Sequence, residues 1–157
     1  MYAVSVACPT SHLEPGVVQT WSTPVTGLLD IGCYPTGNDQ VSEMVAADLR
    51  AATFSSYPVE AIGRWKNHKL LTDLGNAIEA VCEPHERLGP LGNLLAPEGE
   101  AVLSAAGLAA ATAQEDRDRR SDLLQLGADR RPDPARWVLM ATPAARHRRN
   151  RDTLPQR

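Results

Sequence analysis

The stretch from Ala61 to Val81 contains no proline, the next being Pro84, and it places Leu70, Leu74, Ile78 and Val81 at helical spacing. Proline is excluded from helix interiors because it lacks an N–H and clashes with the preceding turn. An uninterrupted run with apolar residues three and four apart therefore predicts a long amphipathic helix that turns those four side chains to a core. The chain before it is punctuated differently. Pro9, Pro15, Pro24 and Pro35 separate Tyr2–Cys8, Gly16–Ser22 and Gly27–Cys33, three short segments predicted as sheet-edge strands. Asp39 is the predicted N-cap of a helix to about Ala52, carrying Val41, Met44, Val45, Leu49 and Ala52 on one face, and an extended piece follows from Phe54 to Val59. Beyond Val81, the segment Pro84–Pro97 is predicted as a turn-rich connection, and Gly32, Gly89 and Gly92 as turn glycines. Pro97, Glu98 and Glu100 suit a helix start, with a break at Gly107. With only 4% aromatic residues, the apolar content favours helix packing over an all-β sandwich.

No apolar run approaches the ~20 residues that span a bilayer, and Met1 is not followed by a signal-peptide pattern, so the expectation is a cytoplasmic protein without a membrane partner. Cys8, Cys33 and Cys82 are odd in number, widely spaced and unaccompanied by a histidine cluster, which argues against a disulfide framework or a metal site. The net charge of −3 conceals an asymmetry: residues 1–129 sum to −9 and residues 130–157 to +6. From Asp129 onward neither strand nor helix period is sustained, and the Arg/Pro-rich tail 129–157 is read as disordered or as the product of a shifted reading frame. An alternative is a basic tail that contacts nucleic-acid phosphates, although Trp137 is its one aromatic.

Only two lysines occur in the chain, Lys66 and Lys69, and both lie in the long predicted helix. Positions i, i+4 and i+7 share a helix face, so Lys69, Asp73 and Asn76 are expected to project together. An ammonium beside an amide can protonate and orient a carbonyl group. The same spacing also describes an ordinary surface ion pair, worth a few tenths of a kcal/mol. Lys66 is the fallback proton donor, and His68 is expected to be a solvated neighbour.

The string Lys69-Leu70-Leu71-Thr72-Asp73, with Trp65 before it and Leu74-Gly75-Asn76-Ala77 after it, resembles the Lys-Leu-x-x-Asn core that opens the helical domain of the ketopantoate reductase family. His12-Leu13-Glu14-Pro15-Gly16-Val17 and Ile31-Gly32-Cys33-Tyr34-Pro35 resemble a turn and a strand end late in that family's nucleotide-binding domain. Glu98 to Gly107 resembles its next helix. The resemblance covers residues 2 to about 127. It implies an α+β fragment: residues 1–57 as late strands of a Rossmann-type nucleotide-binding domain, and residues 58–128 as the first helices of an all-α domain of the 6-phosphogluconate-dehydrogenase type. It further implies Lys69 as the general acid, Asn76 and Asp73 as substrate contacts, NADPH as hydride donor and a 2-keto acid as substrate. Asp73 replaces the family's usual asparagine, and a carboxylate there pairs with the ammonium and repels an anionic substrate. The 157 residues contain no Gly-x-Gly-x-x-Gly turn, the device that receives dinucleotide phosphates. The expectation is a reductase-like chain truncated at its N-terminus and inactive by itself, with a separately encoded N-terminal half supplying the nucleotide site. The alternative is a non-catalytic helical module that self-associates through exposed apolar surface.

Overall fold

Strand β5 (Leu28–Cys33) is the most enclosed segment of the protein, with Leu28, Asp30, Ile31 and Gly32 all buried. The computed structural model describes residues 1–81 and 89–126, so the predicted tail 129–157, Cys82 and the Pro84 turn lie outside the described residues. Along one edge of β5 runs β1 (Tyr2–Ala7), antiparallel, in a register from Tyr2 opposite Cys33 to Ala7 opposite Leu28. Along the other edge, residues 55–59 run parallel to it. Leu29 and Ile31 donate their N–H groups to Ser55 and Tyr57 at 2.9 and 3.1 Å, and Val59 returns a bond to Ile31 at 2.8 Å. A strand flanked on both edges and covered on its faces reads as a near-continuous apolar run, as Leu-Leu-Asp-Ile does apart from its aspartate.

Helix α1 (Gln40–Ala51) joins β5 to that parallel segment, making a β-α-β connection. Asp39 caps it as expected: its carboxylate accepts from the Ser42 N–H and the Ser42 hydroxyl accepts from the Asp39 N–H, both at 2.9 Å. The buried face is not the predicted one. Ser42 and Ala46 are buried while Val41 and Met44 are 46% and 59% exposed, because the small side chains let the helix backbone lie close to β5. Tyr2 donates to Asp39 across this junction at 2.5 Å, which pushes the phenol up to about 12.

The predicted strand Gly16–Ser22 divides in two. β2 (Thr10–Glu14) and β3 (Val17–Thr20) form a hairpin turning at Pro15–Gly16, where Gly16 takes φ +79°. After Trp21, whose N–H bonds to the Pro9 carbonyl, β4 (Ser22–Pro24) pairs with β6 (Leu124–Leu126). Gly32 is a strand residue, not a turn glycine: a Cβ there would collide with the Val59 carbonyl and meet Ile62 at 3.0 Å. That close approach seats Ile62, fully buried, against β5 at the start of α2 (Ile62–Asp73).

The long helix is broken once. Leu74 stays helical in backbone angle, but Leu74 and Ala77 bond three residues back, to Leu71 and Leu74, before α3 (Gly75–Val81) continues. Its rotation also differs from expectation: Ile78 is buried, whereas Leu70 is 55% exposed and His68 is buried. A non-periodic segment causes this. Residues 109–111 lie along α2, with Ala111 N–H on the Arg64 carbonyl, Arg64 on the Ala110 carbonyl and Asn67 on the Ala109 carbonyl. Helix α4 (Pro90–Ala105) starts seven residues before the predicted Pro97, with Gly89 as N-cap and Pro90 in its first turn. Pro97 therefore sits inside the helix, on its exposed side together with Asn93, whose carbonyl loses its helical donor there.

Helix α5 (Ala113–Arg120), followed by a 3-10 turn at Ser121–Leu123, buries no residue at all. It is fastened by charge. Arg119 meets Asp30 through two bonds of 2.7 Å, with side chains only 16% and 5% exposed, and adds a bond to Ser55 Oγ at 3.1 Å. Its guanidinium also lies 4.9 Å from the Tyr57 ring centre. Removing one member of a buried pair leaves the other charge without a partner in low dielectric. Arg119→Ala is therefore expected to lower the unfolding free energy by about 3–5 kcal/mol, measured by urea denaturation; a change within error would show that α5 is not held through Asp30.

Candidate functional site

Lys69 and Asp73 meet as the sequence spacing requires, Lys69 Nζ lying 2.8 Å from Asp73 Oδ1 with both side chains about two-fifths exposed, at 39% and 41%. Asn76 is exposed one turn further on, in α3, beyond the irregular turn at Leu74. Lys66 is differently employed: its Nζ donates to the Val4 carbonyl of β1 at 3.1 Å. Of the two lysines, Lys69 alone holds its ammonium against a side chain at the surface, where an incoming carbonyl oxygen could take Asp73's place.

The sequence reading missed what lies beside it. His68 is buried rather than solvated, with Nε2 3.7 Å from Asp116 Oδ2 and without a hydrogen-bond partner. Asp116 is shared with Arg120, whose Nε lies 2.7 Å from the same oxygen. His68 also lines a cavity of about 570 Å³ between α2, α4 and residues 108–113, together with Leu71, Thr72, Glu100, Leu103 and Thr112. The signal available for this was weak. A histidine in a polar helical stretch reads as surface unless the segment that covers it is itself legible, and residues 108–113 carry no period.

The N-terminus of α5 is the most strongly polarised point nearby. Thr112 and Glu115 form a capping box, Thr112 N–H bonding to Glu115 Oε2 at 2.7 Å and Glu115 N–H to Thr112 Oγ1 at 3.1 Å. Arg64 adds a bond to the same carboxylate at 2.9 Å. The backbone N–H of Thr112, then Arg64, hold Glu115 down to about 2 from an ordinary value of 4.5. Among the described residues no group of three or more histidine, cysteine or acidic side chains is placed to hold a metal ion, and no helix is long and apolar enough to cross a membrane.

No protein-family model matches this chain, and no curated protein does. Among solved structures it is similar to the crystal structure of 2-dehydropantoate 2-reductase from Methylococcus capsulatus, with a TM-score of 0.57 and 15% identity. The likeness covers 99% of this chain and 57% of that one, so the chain spans little more than half the length of the neighbour. At this identity the likeness is one of fold: a mixed α+β chain with short antiparallel strands and helices, distantly related in shape to a Rossmann-like reductase.

NADPH, the cofactor that the sequence resemblance implies, can be tested against the described residues, and the strand-to-helix junction among them does not fit it. A dinucleotide phosphate is received at a glycine-rich turn between a strand and a helix N-terminus. The junction of that kind described here, β5 to α1, runs Tyr34-Pro35-Thr36-Gly37-Asn38-Asp39 and ends in a carboxylate. Asp39 already accepts from the Ser42 N–H in the first turn of α1, and its hydrogen bond from Tyr2 holds it below the usual carboxylate range, hence charged. A phosphate placed there would meet a like charge.

The Glu115 contacts carry a pH signature. A carboxylate depressed in the folded state stabilises it fully above its unfolded value, and that stabilisation is lost as pH falls toward the folded value. The melting-temperature advantage of the native chain over Glu115→Gln is expected to be full at neutral pH and to shrink between about 4.5 and 2. A difference that does not change with pH across that window would contradict the assigned contacts.

Proposed function

We propose that this chain is a ketopantoate reductase-like protein whose ancestral reaction is the NADPH-dependent reduction of 2-dehydropantoate to pantoate, and that it does not turn over by itself. Residues 1–57 belong to the late strands of a nucleotide-binding domain, and residues 58–128 open the helical substrate domain. The observation that supports the reading is the likeness in fold to a 2-dehydropantoate 2-reductase over 99% of this chain and 57% of that one. Lys69 Nζ supplies a proton to the carbonyl oxygen of a 2-keto acid, with Asn76 and Asp73 beside the substrate. Because Lys66 is occupied by the Val4 carbonyl, Lys69 is the donor of choice. NADPH supplies the hydride in the ancestral reaction, and its phosphates are not received at the junction before α1, where Asp39 repels them.

Substrate recognition can be tested without the cofactor. The ammonium must leave Asp73 to meet a keto acid, and the aspartate repels the substrate carboxylate. Calorimetric titration with 2-dehydropantoate is expected to give binding that tightens at least about twofold in Asp73→Asn and disappears in Lys69→Ala. Unchanged binding in Lys69→Ala would sink the proposal. A second reading, a non-catalytic helical interaction module, is favoured by one observation: α4 leaves Leu91, Leu94 and Val102 more than half exposed.

A further inference from the structure

The cavity of about 570 Å³ beside α2 contains none of Lys69, Asp73 and Asn76 in its lining. α2 and α4 are pressed together at Gly99, where a Cβ would stand 2.7 Å from both Leu71 and Leu74. Next to that contact, a row of α4 at four-residue steps, Ala96, Glu100 and Ser104, lines the cavity together with His68 and Thr72 of α2. Residues 108–113 form its third side, and each side contributes leucine or alanine. Mostly apolar hollows of about 300–1,000 Å³ with a few polar groups are the usual seats of small molecules.

The polar groups left without partners set the charge of the occupant. Glu100 is the one acidic residue of the lining and faces no basic one; it is exposed and makes no hydrogen bond or ion pair among the described residues. His68 is only 9% exposed, yet its ring makes no hydrogen bond among the described residues, Nε2 standing 3.7 Å from Asp116 Oδ2. The other charges nearby are balanced. Asp116 is met by Arg120 at 2.7 Å, and Glu115 takes both the Thr112 N–H and Arg64, so the positive end of α5 is answered from within. Ser104 lies in the last turn of α4, where the carbonyl end of a helix favours positive charge.

We propose that this cavity binds a small organic cation, an amine carried on an apolar body. Its ammonium meets Glu100 at the exposed rim, and its body lies against Leu71 and Leu103. A second hydrogen-bond donor on that body satisfies the imidazole of His68, since an uncharged ring offers one acceptor nitrogen. The site is independent of the Lys69 chemistry.

Two probes with one ring and opposite charge test it: tryptamine and indole-3-propanoate, titrated calorimetrically into the full chain. Tryptamine is expected to bind saturably, and the propanoate at least about threefold more weakly. Glu100→Gln is expected to weaken tryptamine about two- to fivefold, and Ser104→Phe, which fills the cavity, to abolish its binding. Both positions are exposed, and an unchanged far-UV circular dichroism spectrum confirms that each variant folds. Equal affinity for the two probes, or no effect of Glu100→Gln, overturns the choice of a cation. Tryptamine binding that survives Ser104→Phe overturns the place, and the absence of saturable tryptamine binding overturns the proposal outright. Neither probe is a keto acid, so these outcomes are distinct from those of the titration with 2-dehydropantoate.

Discussion

The face of this fold formed by α2 and α5 depends on a charge buried in a strand. Asp30 occupies the middle of β5, between Leu29 and Ile31, and is satisfied by three donors: two from Arg119 and the Tyr57 N–H at 3.0 Å. Burying a carboxylate in an apolar strand costs stability unless it is fully paired. The strand therefore demands an arginine, and the nearest supply is α5, a helix with no apolar face of its own. Once Arg119 is committed, two further charges of α5 meet α2 beneath it, Glu115 with Arg64 and Asp116 with His68. The helix is positioned by specific pairs where most helices are positioned by apolar area.

That arrangement decides which face of α2 is covered. Residues 108–113 lead into α5, and their carbonyls take the side chains of Arg64 and Asn67. The buried face of α2 is thereby rotated to Ile62 and His68. Leu70 is left outside, and Lys69 with Asp73 remains at the rim. The accessibility of Lys69 is thus a consequence of how residues 108–113 pack, a segment that belongs to no strand and reaches the core only through Ala111. Lys69 and Asp73 stay accessible because the charges of α5 draw the covering segment to the other side.

What the sequence makes legible here follows from how each residue is stabilised. The cap at Asp39, the extended piece after α1 and the Lys69–Asp73 contact all rest on local rules of spacing, and the structure has them. The misreadings share a different origin. Ser42 and Ala46, Gly32 and Gly99 pack by being small, which no hydrophobic count registers. Pro97 begins nothing, because Gly89 and Pro90 form an equally good start earlier, and an exposed helix side tolerates the proline. His68 is buried by a partner far along the chain. Asp30, a charge in an apolar run that the sequence reading passed over, signals a distant partner because a buried carboxylate is kept only when it is hydrogen-bonded.

A shared fold does not carry chemistry with it, since function resides in particular side chains set on a scaffold. The β5–α1 connection makes the point from within this molecule. Its strand, crossover helix and parallel return are the ingredients of a nucleotide-binding unit, and the helix N-terminus that would attract a phosphate is present. That N-terminus is filled by the chain's own Asp39, capped to Ser42 and braced by Tyr2. The same backbone dipole that would hold an anionic ligand holds an anionic side chain in its place. The likeness to a reductase is one of architecture, and at this junction the architecture is used to stabilise a helix.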